Sequence, residues 1–195
     1  PKGVFIVPDL LKTLPTRYVH DGLAEAVKYG CIGDRELFEI FESLETEKDL
    51  EKHIEEIILH SVLQKTRVVE EDEFDTGKRQ VLNFGHTIGH AVERYFHYST
   101  FTHGEGVAIG MSLLTEQTEK MGLTEKGTAS RLIRVLHKLS LPTSIGVPAE
   151  DLIPQIMHDK KRRGKKITLV VLKKIGEAEL LTIPTDELSR YIVTE

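Results

Sequence analysis

The chain has 195 residues, 26 basic and 31 acidic, for a formal charge of −5, with 39% apolar and 29% charged side chains. That balance suits one packed domain and excludes long disorder, and no apolar run approaches the ~20 residues that span a bilayer. A single cysteine, Cys31, excludes a disulfide framework and fits a reducing cytoplasm, the expected location; net acidity leaves neither nucleic acid nor membrane as an expected partner.

The chain opens at Pro1, without Met, and is expected to be a domain cut from something longer. Gly3-Val4-Phe5-Ile6-Val7, closed by Pro8, reads as a strand or extended segment. A short turn is expected over 10–14, then a small-residue helix over 21–29 stopped by Gly30. Asp34 is placed to cap a helix carrying Leu37, Phe38, Ile40 and Phe41. Leu50, Ile54, Ile57, Ile58, Val62 and Val69, spaced by three, four or seven, mark a long amphipathic helix. An acidic connector covers 70–75, and further helices are expected over 79–96, 105–121, 125–139 and 150–158.

A basic run over 160–166 leads into a β-branched strand at 167–172. Ile175-Gly176 is the turn and 178–183 the return strand, after which Thr185 or Asp186 caps a last helix. The expected fold is mainly α: a multi-helical domain with a short N-terminal extended segment and a small C-terminal β-hairpin. No G-x-G-x-x-G loop is present, so the chain shows no dinucleotide fold of its own.

Placed on one helix at about 100° per residue, Arg79, Asn83, His86, His90, Glu93 and His97 share an arc, opposite Val81, Phe84, Ile88, Ala91, Val92 and Tyr95. A polar stripe in water is the plain explanation. Solvated faces, however, favour Glu, Lys and Gln over Asn and His, and Gly85 and Gly89 on the flank cost roughly 1 kcal/mol each. Close approach of another backbone or a ligand would offset them, so the stripe is read as lining a polar cavity. His86 and His90, four apart, can converge on one metal ion, and His103-Gly104-Glu105 offers a third ligand.

Glu25 and Lys28 stand one turn apart among small apolar residues. They form either an ordinary intrahelical pair or a buried carboxylate whose partner is a cation. Lys160, Lys161, Arg162, Arg163, Lys165 and Lys166 form either a solvated loop or a site for a small anion such as phosphate.

Several motifs together closely resemble the 3-dehydroquinate synthase family, in that family's order and over essentially the whole chain. They are Thr13-Leu14-Pro15-Thr16-Arg17, Gly22-Leu23-Ala24-Glu25-Ala26-Val27-Lys28-Tyr29-Gly30, Asp72-Glu73 with Gly77-Lys78-Arg79, and Asp159-Lys160-Lys161. With them go Asn83-Phe84-Gly85-His86-Thr87-Ile88-Gly89-His90-Ala91-Val92-Glu93 and His103-Gly104-Glu105-Gly106-Val107-Ala108-Ile109-Gly110-Met111. The match is to the C-terminal, helical half of that enzyme; the NAD-binding α/β half lies outside this sequence.

The resemblance implies that Glu25, His86 and His103 ligate zinc, or cobalt or another divalent ion in its place. It moves His90 from the metal to the substrate site, with Lys28, Arg79 and Asn83 as its catalytic companions. Lys28, Arg79, Asn83, His90, Lys160 and Lys161 would contact a sugar-phosphate substrate, and Leu10, Leu11, Lys12 and Thr13 would touch NAD. The implied reaction is a lyase step of the shikimate route to chorismate and the aromatic amino acids. It turns 3-deoxy-arabino-heptulosonate 7-phosphate into 3-dehydroquinate and phosphate. A homodimer and an N-terminal NAD-binding domain are the implied partners, and the isolated domain is expected to be inactive. Tyr18, Asp21 and Asp75 depart from the family pattern beside the site.

Other sugar-phosphate cyclases and iron-dependent alcohol dehydrogenases share this architecture, but Asn83 and His90 together favour the synthase. A non-enzymatic helical module binding metal or nucleic acid is the reading from another class, and the net charge weighs against its nucleic-acid form.

Overall fold

The computed structural model describes residues 2–72, 77–160 and 165–192. The apolar opening is extended and exposed and joins no sheet, so it is a lead-in segment rather than a strand. A 3-10 turn, Pro8–Thr13, supplies the expected short turn. Helix α1 then covers Thr16–Ile32 and runs through Gly30 instead of stopping there. A Cβ on Gly30 would lie 3.0 Å from the backbone nitrogen of Phe38, so this glycine serves the close crossing of α2 (Arg35–Ser43).

Asp34 caps α2 as expected, accepting the Leu37 N–H at 3.0 Å. Its other oxygen lies 2.8 Å from Nδ1 of His60, which ties in the long helix α3 (Glu47–Glu71). α3 starts on a Thr46–Asp49 capping box and absorbs the beginning of the expected acidic connector. Asp75 lies outside the described residues.

The helix expected over 79–96 is broken in two. Lys78–Asn83 form a 3-10 turn, and α4 covers His86–Tyr95. The break falls at Gly85, with φ +78°, where a Cβ would meet the Val107 carbonyl oxygen at 2.7 Å and Met111 Cγ at 2.6 Å. The neighbour that leaves no room is α5 (His103–Lys120). After α4 the chain turns through left-handed His97 and Tyr98, with φ of 53° and 56°, which removes His97 from the stripe.

α6 (Thr128–Lys138) begins three residues later than expected; the Gly127 and Ala129 N–H groups donate to Glu119 at 2.9 and 2.8 Å. A 3-10 turn, Ala149–Leu152, leads into α7 (Ile153–Lys160). Strands β1 (Lys166–Lys174) and β2 (Glu177–Pro184) form the antiparallel hairpin, with Ile167 opposite Ile183 and Leu169 opposite Leu181. The final segment, Thr185–Tyr191, is 3-10, and neither Thr185 nor Asp186 caps it. The Thr185 hydroxyl donates instead to the Lys165 carbonyl at 3.3 Å.

α5 is the axis of the domain: across residues 104–115 only Glu105 is not buried. Val107, Ala108 and Met111 face an apolar cluster with α1, α2 and α6, whereas Ile109, Leu113 and Leu114 face a second one with α4 and α7. The hairpin wedges between both: Val170 and Leu172 join the first cluster, and Ile167, Leu169 and Val171 the second, by the two-residue period of a strand. Buried hydroxyls of Ser112, Thr115 and Thr118 donate to carbonyls one turn back, which satisfies them inside the core. Among the described residues no helix is long and apolar enough to cross a membrane.

Candidate metal centre

Three elements meet at the start of α5, and glycines let them meet. A Cβ on Gly104 would sit 2.1 Å from the Asp21 carbonyl oxygen, so α1 and the α5 N-terminus touch backbone to side-chain-free backbone. The Gly104 N–H donates to Asp21 Oδ1 at 2.6 Å, so this aspartate satisfies an orphan donor at a helix N-terminus. Arg17 braces the same seam, donating to both Glu105 oxygens at 2.8 and 2.7 Å and to the Thr100 carbonyl at 2.9 Å. On the other side, a Cβ on Gly89 of α4 would lie 3.0 Å from the Gly106 backbone. The sequence expectation that close backbone approach offsets the two α4-flanking glycines is met at both Gly85 and Gly89.

Glu25 reaches this junction from α1, His86 from the first turn of α4 and His103 from the first turn of α5. Their ligand atoms all lie within 4.8 Å of one another, a set that can hold one metal ion. Glu25 Oε1 faces Nε2 of His86 at 3.3 Å and Nε2 of His103 at 3.7 Å. The oxygen is buried and has no hydrogen-bond partner. Glu25 Oε2 instead accepts from Lys28 Nζ at 2.6 Å. Lys28 is only 3% exposed, so its ammonium is committed to anchoring the carboxylate and is not open to solvent.

Each imidazole has its other nitrogen tied down. His86 Nδ1 lies 3.1 Å from the Phe84 carbonyl oxygen, and His103 Nδ1 lies 3.2 Å from Glu93 Oε1. His90, one turn along α4 from His86, is exposed, its ring centred 5.5 Å from His86 and 5.7 Å from His103. His90, Glu93 and His103 make a second possible ligand group that shares His103 with the first.

The titration behaviour follows the charges. Burial pushes the Glu25 carboxyl up, but His103, Lys28 and His86 together outweigh it and hold the group at about 2. Burial, helped by the Lys28 charge, keeps His86 below the ordinary imidazole value. Glu25, followed by burial working against it and Glu93 in support, leaves His103 raised. Burial lowers Lys28, with Glu25 opposing. The centre is therefore a buried anion between one imidazole that resists a proton and one that favours it. A divalent cation fits this donor set, because it would satisfy the partnerless carboxylate oxygen and both Nε2 atoms together.

The remaining expected residues are spread around this core. Arg79 and Asn83 come from the 3-10 turn just before α4, with Asn83 exposed; the Arg79 backbone N–H donates to Asp72 at 3.1 Å. Leu10, Leu11, Lys12 and Thr13 lie on the first 3-10 turn, where Lys12 pairs with Asp9 at 2.6 Å. Lys160 ends α7, and Lys161 lies outside the described residues. Glu93 stands in the sequence stripe without a role assigned to it there; its seven-residue spacing from His86 is the signal that could have found it.

The fold of the chain is shared with two solved synthases. The domain superposes on 2-epi-5-epi-valiolone synthase from Streptomyces hygroscopicus subsp. jinggangensis, solved with NAD+ and Zn2+, with a TM-score of 0.77 and 24% identity over 93% of this chain and 52% of that one. It also superposes on 2-deoxy-scyllo-inosose synthase, solved with carbaglucose-6-phosphate, NAD+ and Co2+, with a TM-score of 0.74 and 22% identity over 96% and 55%. More narrowly, residues 22–162 match the family described as 3-dehydroquinate synthase C-terminal, and the chain belongs to that family. It is 47% identical to the 3-dehydroquinate synthase of Clostridium acetobutylicum over 98% of this chain and 54% of that protein. Against the Enterococcus faecalis enzyme it is 46% identical over 100% and 55%. The chain thus spans about half the length of the relatives it matches.

Proposed function

We propose that this chain is the metal- and substrate-binding part of a 3-dehydroquinate synthase, converting 3-deoxy-arabino-heptulosonate 7-phosphate into 3-dehydroquinate and phosphate. The observation that carries the reading is the convergence of Glu25, His86 and His103 on a buried carboxylate oxygen that has no hydrogen-bond partner and faces the Nε2 atoms of both rings. In this reading an N-terminal α/β domain holds NAD. Zinc, when bound, supplies a Lewis acid at a substrate hydroxyl, and NAD supplies the hydride acceptor.

The chain's own residues then divide the work. Glu25, His86 and His103 hold the cation, and Lys28 keeps Glu25 turned towards it by occupying its second oxygen. His90, exposed beside the triad, takes or returns a proton at its ring, since a neutral imidazole carries one donor and one acceptor nitrogen. Arg79 and Asn83, on the turn leading into α4, bind carboxylate and hydroxyl groups of the substrate; Lys160 and Lys161 take its phosphate. Leu10, Leu11, Lys12 and Thr13 lie on an exposed turn and meet the dinucleotide from the neighbouring domain. The glycine-braced seam fixes the helix positions from which the three side chains of the triad project.

The test joins the chain to the N-terminal half of the Enterococcus faecalis relative and follows phosphate release with NAD and zinc. Release from the joined protein and none from the chain alone is expected. A folded, zinc-loaded joined protein that releases no phosphate refutes the activity.

A further inference from the structure

We infer that Glu93 is the positioning residue that sets His103 for metal binding: its carboxylate takes the Nδ1–H of His103 and leaves Nε2 as the lone pair facing Glu25. The inference rests on the reading of Glu25, His86 and His103 as metal ligands and extends it to the next residue outward.

The geometry supports it in three steps. A carboxylate carries no proton to give, so the His103 nitrogen 3.2 Å from Glu93 Oε1 must be the one bearing hydrogen. In a neutral imidazole the other nitrogen is then the acceptor, and it is Nε2 that looks towards Glu25 Oε1. The same logic operates at His86, where the Phe84 carbonyl, exposed by the break at Gly85, occupies Nδ1 and leaves Nε2 to face the same oxygen. Two imidazoles from two helices are therefore held in one tautomer by two different devices: a backbone carbonyl for His86 and a side-chain carboxylate for His103.

Glu93 can reach His103 only because the helices nearly touch. The Gly89–Gly106 crossing brings α4 against the first turn of α5, and a Cβ on Gly106 would rest 3.6 Å from Glu93 Cγ. Glu93 leans along that glycine to meet a ring on the other helix. An outer carboxylate on a ligating histidine also makes the ring a better donor, and its loss typically costs about 10–100-fold in metal affinity.

The test is zinc affinity of the full chain, measured by competition with a chromogenic chelator, and ring-15N NMR of His103 in the metal-free chain at alkaline pH. Glu93→Ala should weaken zinc about 10–100-fold and release the tautomer, whereas Glu93→Gln, which keeps an acceptor oxygen, should retain most of both. Melting temperatures confirm that the variants are folded. If Glu93→Ala holds zinc as tightly as the unaltered chain while Glu25→Ala and His103→Ala lose it, the triad stands and the role of Glu93 is refuted. If Glu93→Gln and His90→Ala lose zinc as fully as Glu93→Ala, the ion sits on His90, Glu93 and His103, and Glu93 is a ligand instead. If Glu25→Ala, His86→Ala and His103→Ala all keep zinc, the metal reading itself falls and takes this one with it. An Nε2–H form of His103 in the unaltered metal-free chain overturns the inference without any variant.

Discussion

The seam where α1, α4 and α5 meet and the outer side of the N-terminal segment and α3 are built on opposite terms. In the seam, glycines at 85, 89, 104 and 110 let backbones approach until no side chain fits, and Gly104 pairs with Asp21 and Arg17 with Glu105 across it. Along the outer side, Val4, Phe5, Leu10, Leu59 and Leu63 stand in solvent, with Phe5 96% exposed. The first region is over-determined by contact, whereas the second is left to side chains that touch little. Chemistry that needs ligands placed within tenths of an ångström belongs to the first.

The difference can be tested by disturbing each region. The largest effect is expected from Gly110→Ala, whose Cβ would lie 2.1 Å from the Gly85 carbonyl oxygen. Two backbones would have to part, costing about 3 kcal/mol of stability in a denaturant titration and loosening zinc with it. Next, His86→Ala and His103→Ala should each abolish the one bound ion per chain, read by metal analysis after dialysis, with folding kept. In the protein joined to an N-terminal half, His90→Ala should lower turnover by about 10²-fold while metal content stays. Equal loss of both would make His90 a ligand.

Acid should act on the seam more gently. Because His103 is held above the ordinary imidazole value, a proton competes with metal for Nε2 up to a higher pH than at a free histidine. Zinc affinity should therefore already decline as pH falls through the neutral range, and a flat profile there would contradict this. The smallest effect belongs to the outer side: Phe5→Ser should leave stability within about 0.5 kcal/mol, since the ring is almost wholly in water.

Sequence patterns read the helices well where a single face decides them. α3 follows the spacing of Leu50, Ile54 and Ile57, and Asp34 caps α2 through the local chemistry of an aspartate before a helix. The hairpin is legible from a β-branched run and Gly176. Two errors lie where a distant element intrudes. Gly30 has the pattern of a stop signal but is a crossing point for α2, and Gly85 has that of an interior helix residue but is a left-handed break imposed by α5. A single stripe from Arg79 to His97 is consequently too simple: only His86, His90 and Glu93 share the α4 face.

For the site, the residue types and their order are enough to nominate Glu25, His86 and His103 through a family resemblance. The i, i+4 spacing of His86 and His90 points elsewhere on its own. Helical periodicity describes one element and is blind to α1 and α5, which flank α4 from opposite sides along the chain. Local pattern alone thus accounts for most of the helices, several of their caps and the chemical kinds of side chain available. That Glu25 Oε1 faces two Nε2 atoms, and that Lys28 and Glu93 hold the outer atoms of that set, emerges only in the folded chain. The physical reason is distance: local pattern acts over one helical turn, whereas these contacts depend on how closely three helices pack, which glycine backbones permit and only tertiary packing enforces.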